Sequence, residues 1–194
     1  MLVLCFACAK KEPSLKDTFK DHFLIGAAIN SDQILGTDSL AHEILIKHFN
    51  ALTGENAMKW ERIHPLPGSY YFTLSDSLVS FARKNNMFVT GHTLLWHHQT
   101  PEWVFEDSTG KPLTRDSLLA VLKDHIFTVV GRYKGQVQSW DVVNEALEEN
   151  GSLRRYRQGG IGSLQRNSQR RSAANPGPQG GVTGVPQPVA LRSG

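Results

Sequence analysis

Residues 114–144, TRDSLLAVLKDHIFTVVGRYKGQVQSWDVVN, carry the pattern that decides the fold. Apolar residues recur every three or four positions along 114–132, which predicts a helix with one buried face. The last part, QSWDVVN at 138–144, is short, apolar and partly β-branched, which predicts a buried strand. A helix followed closely by such a strand is one repeat of an α/β fold.

The same alternation extends towards the N-terminus. Strands are predicted at residues 23–30 (FLIGAAIN), 53–58 and 87–95 (MFVTGHTLL), and helices at 40–52 and 74–85. The order β-α-β-α-β-α-β predicts a parallel sheet covered by helices. A doubly wound sheet and a (β/α)8 barrel both fit this order. No Gly-x-Gly-x-x-Gly motif follows the first strand, which disfavours a dinucleotide-binding sheet.

Composition divides the 194-residue chain near Asn150. Residues 1–149 hold 18 Asp and Glu against 14 Lys and Arg, a net charge of −4, whereas residues 150–194 hold seven Arg and no acid, a net charge of +7. The Gly- and Pro-rich segment 155–194 shows no regular periodicity, so we expect it to be disordered. It could be a basic arm for nucleic acid, a linker, or sequence that is not native. We favour the last because lysine and acids disappear together, and we expect no nucleic-acid partner.

The first 22 residues are predicted to be an export leader and a linker. Residues 1–8, MLVLCFAC, form an apolar run ahead of Lys10 and Lys11, close to the lower limit of about seven residues for a signal-peptide core. The run resembles the lipobox of bacterial lipoproteins, with a lipid anchor on Cys8. This predicts an exported protein: periplasmic, outer-membrane lipoprotein or secreted. The alternative is an incidental apolar N-terminus. Two cysteines give neither a disulfide framework nor a four-ligand zinc site.

Polar and aromatic residues follow predicted strands two, three and four, at the strand ends where a (β/α)8 barrel places its active site. The four motifs are Glu55-Asn56-x-x-Lys59-Trp60, Gly91-His92-Thr93-x-x-Trp96-His97, Gln99-Thr100-Pro101-x-Trp103 and Trp140-Asp141-Val142-Val143-Asn144-Glu145-Ala146. In this order and spacing they resemble glycoside hydrolase family 10, the endo-β-1,4-xylanases. The resemblance covers residues 23–154. It implies a (β/α)8 TIM barrel, retaining hydrolysis of β-1,4-xylosidic bonds in xylan, and no cofactor.

Glycoside hydrolysis needs a carboxylic acid that protonates the departing oxygen and a second carboxylate on the other side of the sugar ring. Glu145 follows an apolar strand, where burial and a neighbouring carboxylate would raise its pKa. The resemblance makes Glu145 the general acid/base and assigns Asn144 to the sugar 2-hydroxyl. Adjacent strand residues point to opposite faces. We therefore predict a backbone irregularity between Asn144 and Glu145 that lets both reach the cleft.

The resemblance also implies five further substrate-binding residues. It assigns Glu55, Asn56 and Lys59 to xylose hydroxyls on the non-reducing side of the cleavage point. Trp96 would offer its ring face to a sugar. His92 would contact the sugar at the cleavage point, and its peptide bond to the next residue, Thr93, is expected to be cis.

Some residues of the motifs are expected to have no place in substrate binding. We predict structural roles for Trp60, Trp103 and Trp140. A rival hypothesis makes His92, His97 and His98 metal ligands. The His-Glu-x-x-His spacing of zinc hydrolases is absent, so no catalytic metal is expected.

The resemblance places the nucleophile on the seventh strand, about 5–5.5 Å from the acid. Only four strands are predicted before the resemblance ends near Arg154. Glu148 and Glu149 match no catalytic position. We therefore expect these 194 residues to lack the nucleophile and to form only the first four β/α units. Half a barrel leaves an open sheet edge, so we expect the isolated chain to fold poorly or to associate. Without the second carboxylate we expect it to be inactive alone. The alternative is a non-catalytic xylan-binding remnant.

Overall fold

The structure of the protein is a computed structural model that describes residues 12–154. The predicted lipobox at residues 1–8 and the predicted disordered segment 155–194 lie outside this range. No helix within residues 12–154 combines the length and the apolar character needed to cross a lipid bilayer.

Four strands and six α-helices form the described part of the chain, with one short 3₁₀ helix at Glu102–Val104. The strands are β1 (Gly26–Ile29), β2 (Ala51–Gly54), β3 (Phe88–Trp96) and β4 (Ser139–Asn144). The helices are α1 (Leu15–Thr18), α2 (Ser31–Leu35), α3 (Ser39–His48), α4 (Trp60–Ile63), α5 (Thr73–Lys84) and α6 (Arg115–Arg132).

The strands form one parallel sheet in the order β1-β2-β3-β4, as the alternating pattern predicts. Each strand pairs with the next one along the chain. A doubly wound sheet instead reverses its strand order at a switch point. The sequential order therefore agrees with the first units of a (β/α)8 barrel.

The helix predictions at residues 74–85 and 114–132 are confirmed by α5 and α6. Thr114 caps α6, because its hydroxyl accepts a hydrogen bond from the Ser117 amide. Asp38 caps α3 in the same way through the Ala41 amide. The short helices α1, α2 and α4 were not predicted from the sequence. Of these, α1 packs on α3, where the Leu15 amide donates to His48 Nδ1.

The second strand lies closer to the N-terminus than predicted. Residues 40–52 keep a helical pattern, but α3 ends at His48 and Phe49 is extended. The reason is competition from the sheet. The Asn50 side chain accepts a hydrogen bond from the Ile25 amide, and the Ala51 amide donates to the Ile25 carbonyl. Pairing with β1 therefore begins where the helix would have continued.

The first strand is shorter and less buried than predicted. Only Gly26–Ile29 pairs with β2, and Phe23 is 56% exposed. Phe23 instead stacks on Phe19, just beyond α1. Ile29 is the buried member of β1. Within residues 12–154, β1 pairs only with β2, and Gly26 and Ala28 remain exposed.

A stack of aromatic rings fills the space between α4 and α6. The Trp60 and His125 rings lie 3.7 Å apart and nearly parallel, and both residues are buried. His125 Nδ1 lies 3.4 Å from His64 Nδ1. Burial lowers the pKa of His125 to about 3, and the neighbouring His64 contributes in the same direction. His125 and Trp60 are thus core residues, which agrees with the structural role predicted for Trp60.

Gly91 allows β3 and β4 to pair in register. It lies opposite Trp140, and a Cβ atom at this position would overlap the Trp140 ring. The φ angle of Gly91 is not in the left-handed region, so its backbone conformation does not require glycine. Glycine is required here because the Trp140 ring leaves no space for a side chain. The Gly91–Trp140 contact therefore helps to align the strands that carry His92 and Glu145.

We predict that Gly91→Ala destabilises the protein by about 1–3 kcal/mol, because the new methyl group must displace a packed tryptophan. Urea unfolding followed by tryptophan fluorescence measures this change. Gly131→Ala is the matched control. Its added methyl meets no neighbour among the described residues, and alanine is favoured in a helix by up to about 1 kcal/mol. Equal stabilities for Gly91→Ala and the unmodified protein would refute the packing argument.

Candidate active site

The C-terminal ends of β2, β3 and β4 bring the predicted site residues to one edge of the sheet. Glu55 and Asn56 follow β2, and Lys59 precedes α4. Trp96 ends β3, and Asn144 ends β4 directly opposite it in the strand register. Three segments that are distant in sequence thus converge because parallel strands end on the same side.

Lys59 is the centre of a compact polar cluster. Its ammonium donates hydrogen bonds to Asn56 Oδ1 at 3.1 Å and to Gln99 Oε1 at 2.7 Å. It also lies 4.6 Å from the centroid of the Trp96 ring. Gln99 Nε2 completes the cluster with a 3.1 Å hydrogen bond to Asn56 Oδ1. We call these four residues, Asn56, Lys59, Trp96 and Gln99, the Lys59 cluster.

Burial and nearby carboxylates act on Lys59 in opposite directions. The residue is only 9% exposed, and this desolvation lowers its pKa. The carboxylates of Glu55 and Glu145 oppose this by favouring the charged ammonium. Burial is the larger effect. Both glutamates therefore act electrostatically on the cluster, although they come from different strands.

His92 is held by a residue of the neighbouring strand. Its Nδ1 lies 2.8 Å from Asp141 Oδ2, across the register that pairs these two residues. The peptide bond between His92 and Thr93 is cis, as expected from the sequence. The Thr93 hydroxyl donates to the Asp141 carbonyl at 2.8 Å. Asp141 therefore fixes the orientation of the His92 ring.

Glu145 leaves β4 through an irregular backbone. Its φ is +52°, in the left-handed region that few residues other than glycine adopt. The register between β3 and β4 also shifts between His92 and Leu95. The predicted irregularity beside Asn144 is thus confirmed. The predicted burial is wrong for the described part of the chain, because the Glu145 side chain is 49% exposed.

Among residues 12–154, the basic side chain that contacts the Glu145 carboxylate is His97, with 3.5 Å between His97 Nε2 and Glu145 Oε2. Burial lowers the pKa of His97, and His98 and Arg154 add to this effect. The carboxylates of Glu145 and Glu148 act in the opposite direction. Within residues 12–154, His97 Nδ1 is buried without a hydrogen-bond partner.

The histidines do not assemble a metal site in the described part of the chain. No group of three or more His, Cys, Asp or Glu side chains there is arranged to hold a metal ion. His92 Nδ1 faces Asp141, and His97 Nε2 faces Glu145. The rival metal hypothesis therefore has no geometric support among these residues.

Comparison with known proteins identifies the family. The profile of glycosyl hydrolase family 10 matches residues 14–166. The chain belongs to this family. It is 54% identical over 138 residues to a β-1,4-xylanase of Dictyoglomus thermophilum, and the alignment covers 71% of this chain and 36% of that protein. It is 47% identical over 141 residues to endo-1,4-β-xylanase B of Paenibacillus barcinonensis, which covers 73% and 41%.

A solved structure of a mutant in complex with xylotriose is also similar to this family 10 chain. The two have a TM-score of 0.69 and 45% sequence identity, over 74% of this chain and 43% of the other. The chain thus spans about two-fifths of the length of the relatives it matches. The four described strands and the helices between them are a partial TIM barrel of the family 10 type.

The structure brings three residues to the candidate site that the sequence did not assign to it. Gln99 joins the Lys59 cluster, Asp141 orients His92, and His97 faces Glu145. All three lie within the four sequence motifs. The sequence assigned no role to Asp141. The strand register that places it opposite His92 is not visible in the sequence. Trp60 and Trp103 instead pack against each other, which agrees with their predicted structural roles.

We predict that Glu145→Gln lowers the pKa of His97 further, because the carboxylate that favours the charged ring is lost. NMR titration of the His97 ring protons in the 194-residue chain measures the change. Glu149→Gln is the matched control, since it removes an exposed carboxylate that is not among the groups acting on His97. An unchanged His97 pKa in Glu145→Gln would contradict the described contact.

Proposed function

We propose that this chain carries the acid/base part of a retaining endo-1,4-β-xylanase active site, with Glu145 as the proton donor. The observation that supports this most is the position of Glu145. It follows β4 at the sheet edge occupied by the Lys59 cluster, and its carboxylate influences the Lys59 ammonium. The relatives named as xylanases and the xylotriose complex support xylan as the substrate.

The proposed chemistry begins with proton transfer. Glu145, in its protonated form, gives a proton to the glycosidic oxygen as the bond between that oxygen and the anomeric carbon breaks, while a second carboxylate forms a covalent bond to that carbon. The resulting carboxylate then accepts a proton from the water that releases the bound sugar. Asn144, which ends the strand beside Glu145, would bind the sugar 2-hydroxyl.

The substrate-binding role falls to residues that are already arranged to bind hydroxyl groups and sugar rings. Asn56 and Lys59 hold polar atoms in fixed positions, and Glu55 lies beside them at the end of β2. Trp96 supplies an apolar ring face. We propose that His92, oriented by Asp141, contacts the sugar at the cleavage point.

A retaining mechanism needs a second carboxylate about 5–5.5 Å from the acid. The two glutamates of the following loop are poor candidates. Glu148 forms a 3.1 Å ion pair with Arg154, and Glu149 is exposed. We therefore assign no nucleophile among residues 12–154. We propose that the 194-residue chain alone hydrolyses xylan negligibly.

A chimaeric enzyme tests the role of Glu145. Residues 14–154 replace the matching segment of the Paenibacillus barcinonensis xylanase, which supplies the rest of the barrel. We expect the chimaera to hydrolyse xylan and Glu145→Gln to reduce kcat about 10²- to 10⁴-fold, the usual contribution of general acid–base catalysis. With a dinitrophenyl xylobioside as substrate, Glu145→Gln should reduce the rate of glycosidic bond breaking much less, because this leaving group departs without protonation.

Glu149→Gln in the same chimaera is the control and should retain full activity. A Glu145→Gln chimaera that hydrolyses xylan at the unmodified rate would exclude Glu145 as the acid. The alternative function, a non-catalytic xylan-binding remnant, predicts a different outcome. The chimaera would not hydrolyse xylan, but the 194-residue chain would bind xylohexaose. Lys59→Met should abolish this binding, and Lys123→Met should leave it unchanged.

We also propose that residues 1–8 direct export and that Cys8 is acylated. The support is the apolar run that ends at Cys8, just before Lys10 and Lys11. Labelling with a radioactive fatty acid in a bacterial host should mark the protein and should fail for Cys8→Ser. Cys5→Ser is the matched control and should still be labelled. Equal labelling of Cys8→Ser and the unmodified protein would refute the anchor.

A further inference from the structure

The loop after β4, residues 145–154, folds back on itself. Leu147 and Leu153 form an antiparallel bridge. Within it, the Glu148 amide donates to the Ser152 carbonyl at 2.8 Å, and the Gly151 amide donates to the Glu148 carbonyl at 2.9 Å. We call this segment the β4 loop. It starts with Glu145 and ends with Arg154, so the two residues lie side by side at its base.

Arg154 ties the β4 loop together through its backbone and its side chain. The Arg154 amide donates to the Ala146 carbonyl at 2.7 Å. Its guanidinium donates from Nε to the Glu145 carbonyl at 3.0 Å and from Nη2 to the Leu147 carbonyl at 3.2 Å. The third nitrogen, Nη1, lies 3.1 Å from Glu148 Oε2.

These contacts use the fixed geometry of a guanidinium group. Its five N–H donors lie in one plane and point in set directions. In Arg154 all three nitrogens have partners, and all of those partners are in the β4 loop. A lysine would bring the same charge but could not reach three separate acceptors from one rigid group.

The backbone of Glu145 needs such support. A left-handed conformation at a residue with a side chain persists only where the surrounding structure holds it. The Glu145 carboxylate is half exposed, so packing does little to fix it. Its direction towards His97 therefore depends on the backbone, and Arg154 binds the carbonyl oxygen of Glu145 itself.

We propose that Arg154 is a positioning residue that sets the direction of the Glu145 carboxylate towards His97. Its importance for catalysis rests on the proposed role of Glu145 as the proton donor. The positioning itself is a separate claim and can be measured without xylan or turnover. Failure of the positioning claim is therefore distinguishable from failure of the proposed function.

A double-mutant cycle in the 194-residue chain tests the proposal. The pKa of His97 is measured by NMR in the unmodified chain, Glu145→Gln, Arg154→Lys and the double variant. Glu145→Gln should lower the His97 pKa in the unmodified background. In the Arg154→Lys background the same substitution should shift it by roughly half as much or less, because the carboxylate is no longer held in place.

The cycle separates position from charge. Among residues 12–154, four titratable groups act on His97: His98, Arg154, Glu145 and Glu148. Lysine retains the positive charge at position 154. Within each background, the chains with and without Glu145→Gln share all the other groups, so the effects of those groups cancel when the two His97 pKa values are subtracted. Arg115→Lys is the matched control, because Arg115 is an exposed arginine at the start of α6. It should leave the effect of Glu145→Gln unchanged.

Glu148→Gln provides a second route if Arg154→Lys does not fold. This variant keeps the arginine but removes the carboxylate that holds Nη1, so the effect of Glu145→Gln should again shrink. An effect of the same size in all backgrounds would overturn the proposal. So would the absence of any effect in the unmodified chain, because Glu145 would then not be held against His97.

Discussion

Parallel pairing of consecutive strands is the constraint on which the site depends. Because β2, β3 and β4 run in the same direction and pair in sequence order, their C-terminal ends lie side by side. The register then determines which residues meet. It places Asp141 opposite His92 and Asn144 opposite Trp96. Gly91 permits this register by leaving room for the Trp140 ring.

Lys59 connects these strand ends chemically. A buried ammonium is unfavourable unless it is hydrogen-bonded and near negative charge. Lys59 meets both conditions, because Asn56 and Gln99 accept its hydrogen bonds and the carboxylates of Glu55 and Glu145 lie close enough to oppose the desolvation. The result is a polar group with little freedom to move. Such rigidity suits the proposed binding of sugar hydroxyls.

The two proposed roles at the sheet edge require different kinds of support. The Lys59 cluster is held by burial and by hydrogen bonds between side chains. Glu145 is half exposed, and its placement depends on the backbone of the β4 loop and on the arginine that closes it. A proton donor must approach the glycosidic oxygen closely, so the conformation of this loop matters as much as the identity of the acid.

The sequence by itself determined the alternating fold, the helices α5 and α6, the family and the motifs at the strand ends, because apolar periodicity and residue identity are local properties. It predicted the irregularity beside Asn144, since strict alternation could not bring both side chains to the cleft. It misplaced β2, because the helical pattern of residues 40–52 does not reveal that Asn50 and Ala51 bond to Ile25. Only the tertiary structure decided which side chains touch. The contact of Asp141 with His92, the place of Gln99 beside Lys59, the exposure of Glu145 and its support by Arg154 all depend on strand register and loop geometry, which arise from pairing between distant segments.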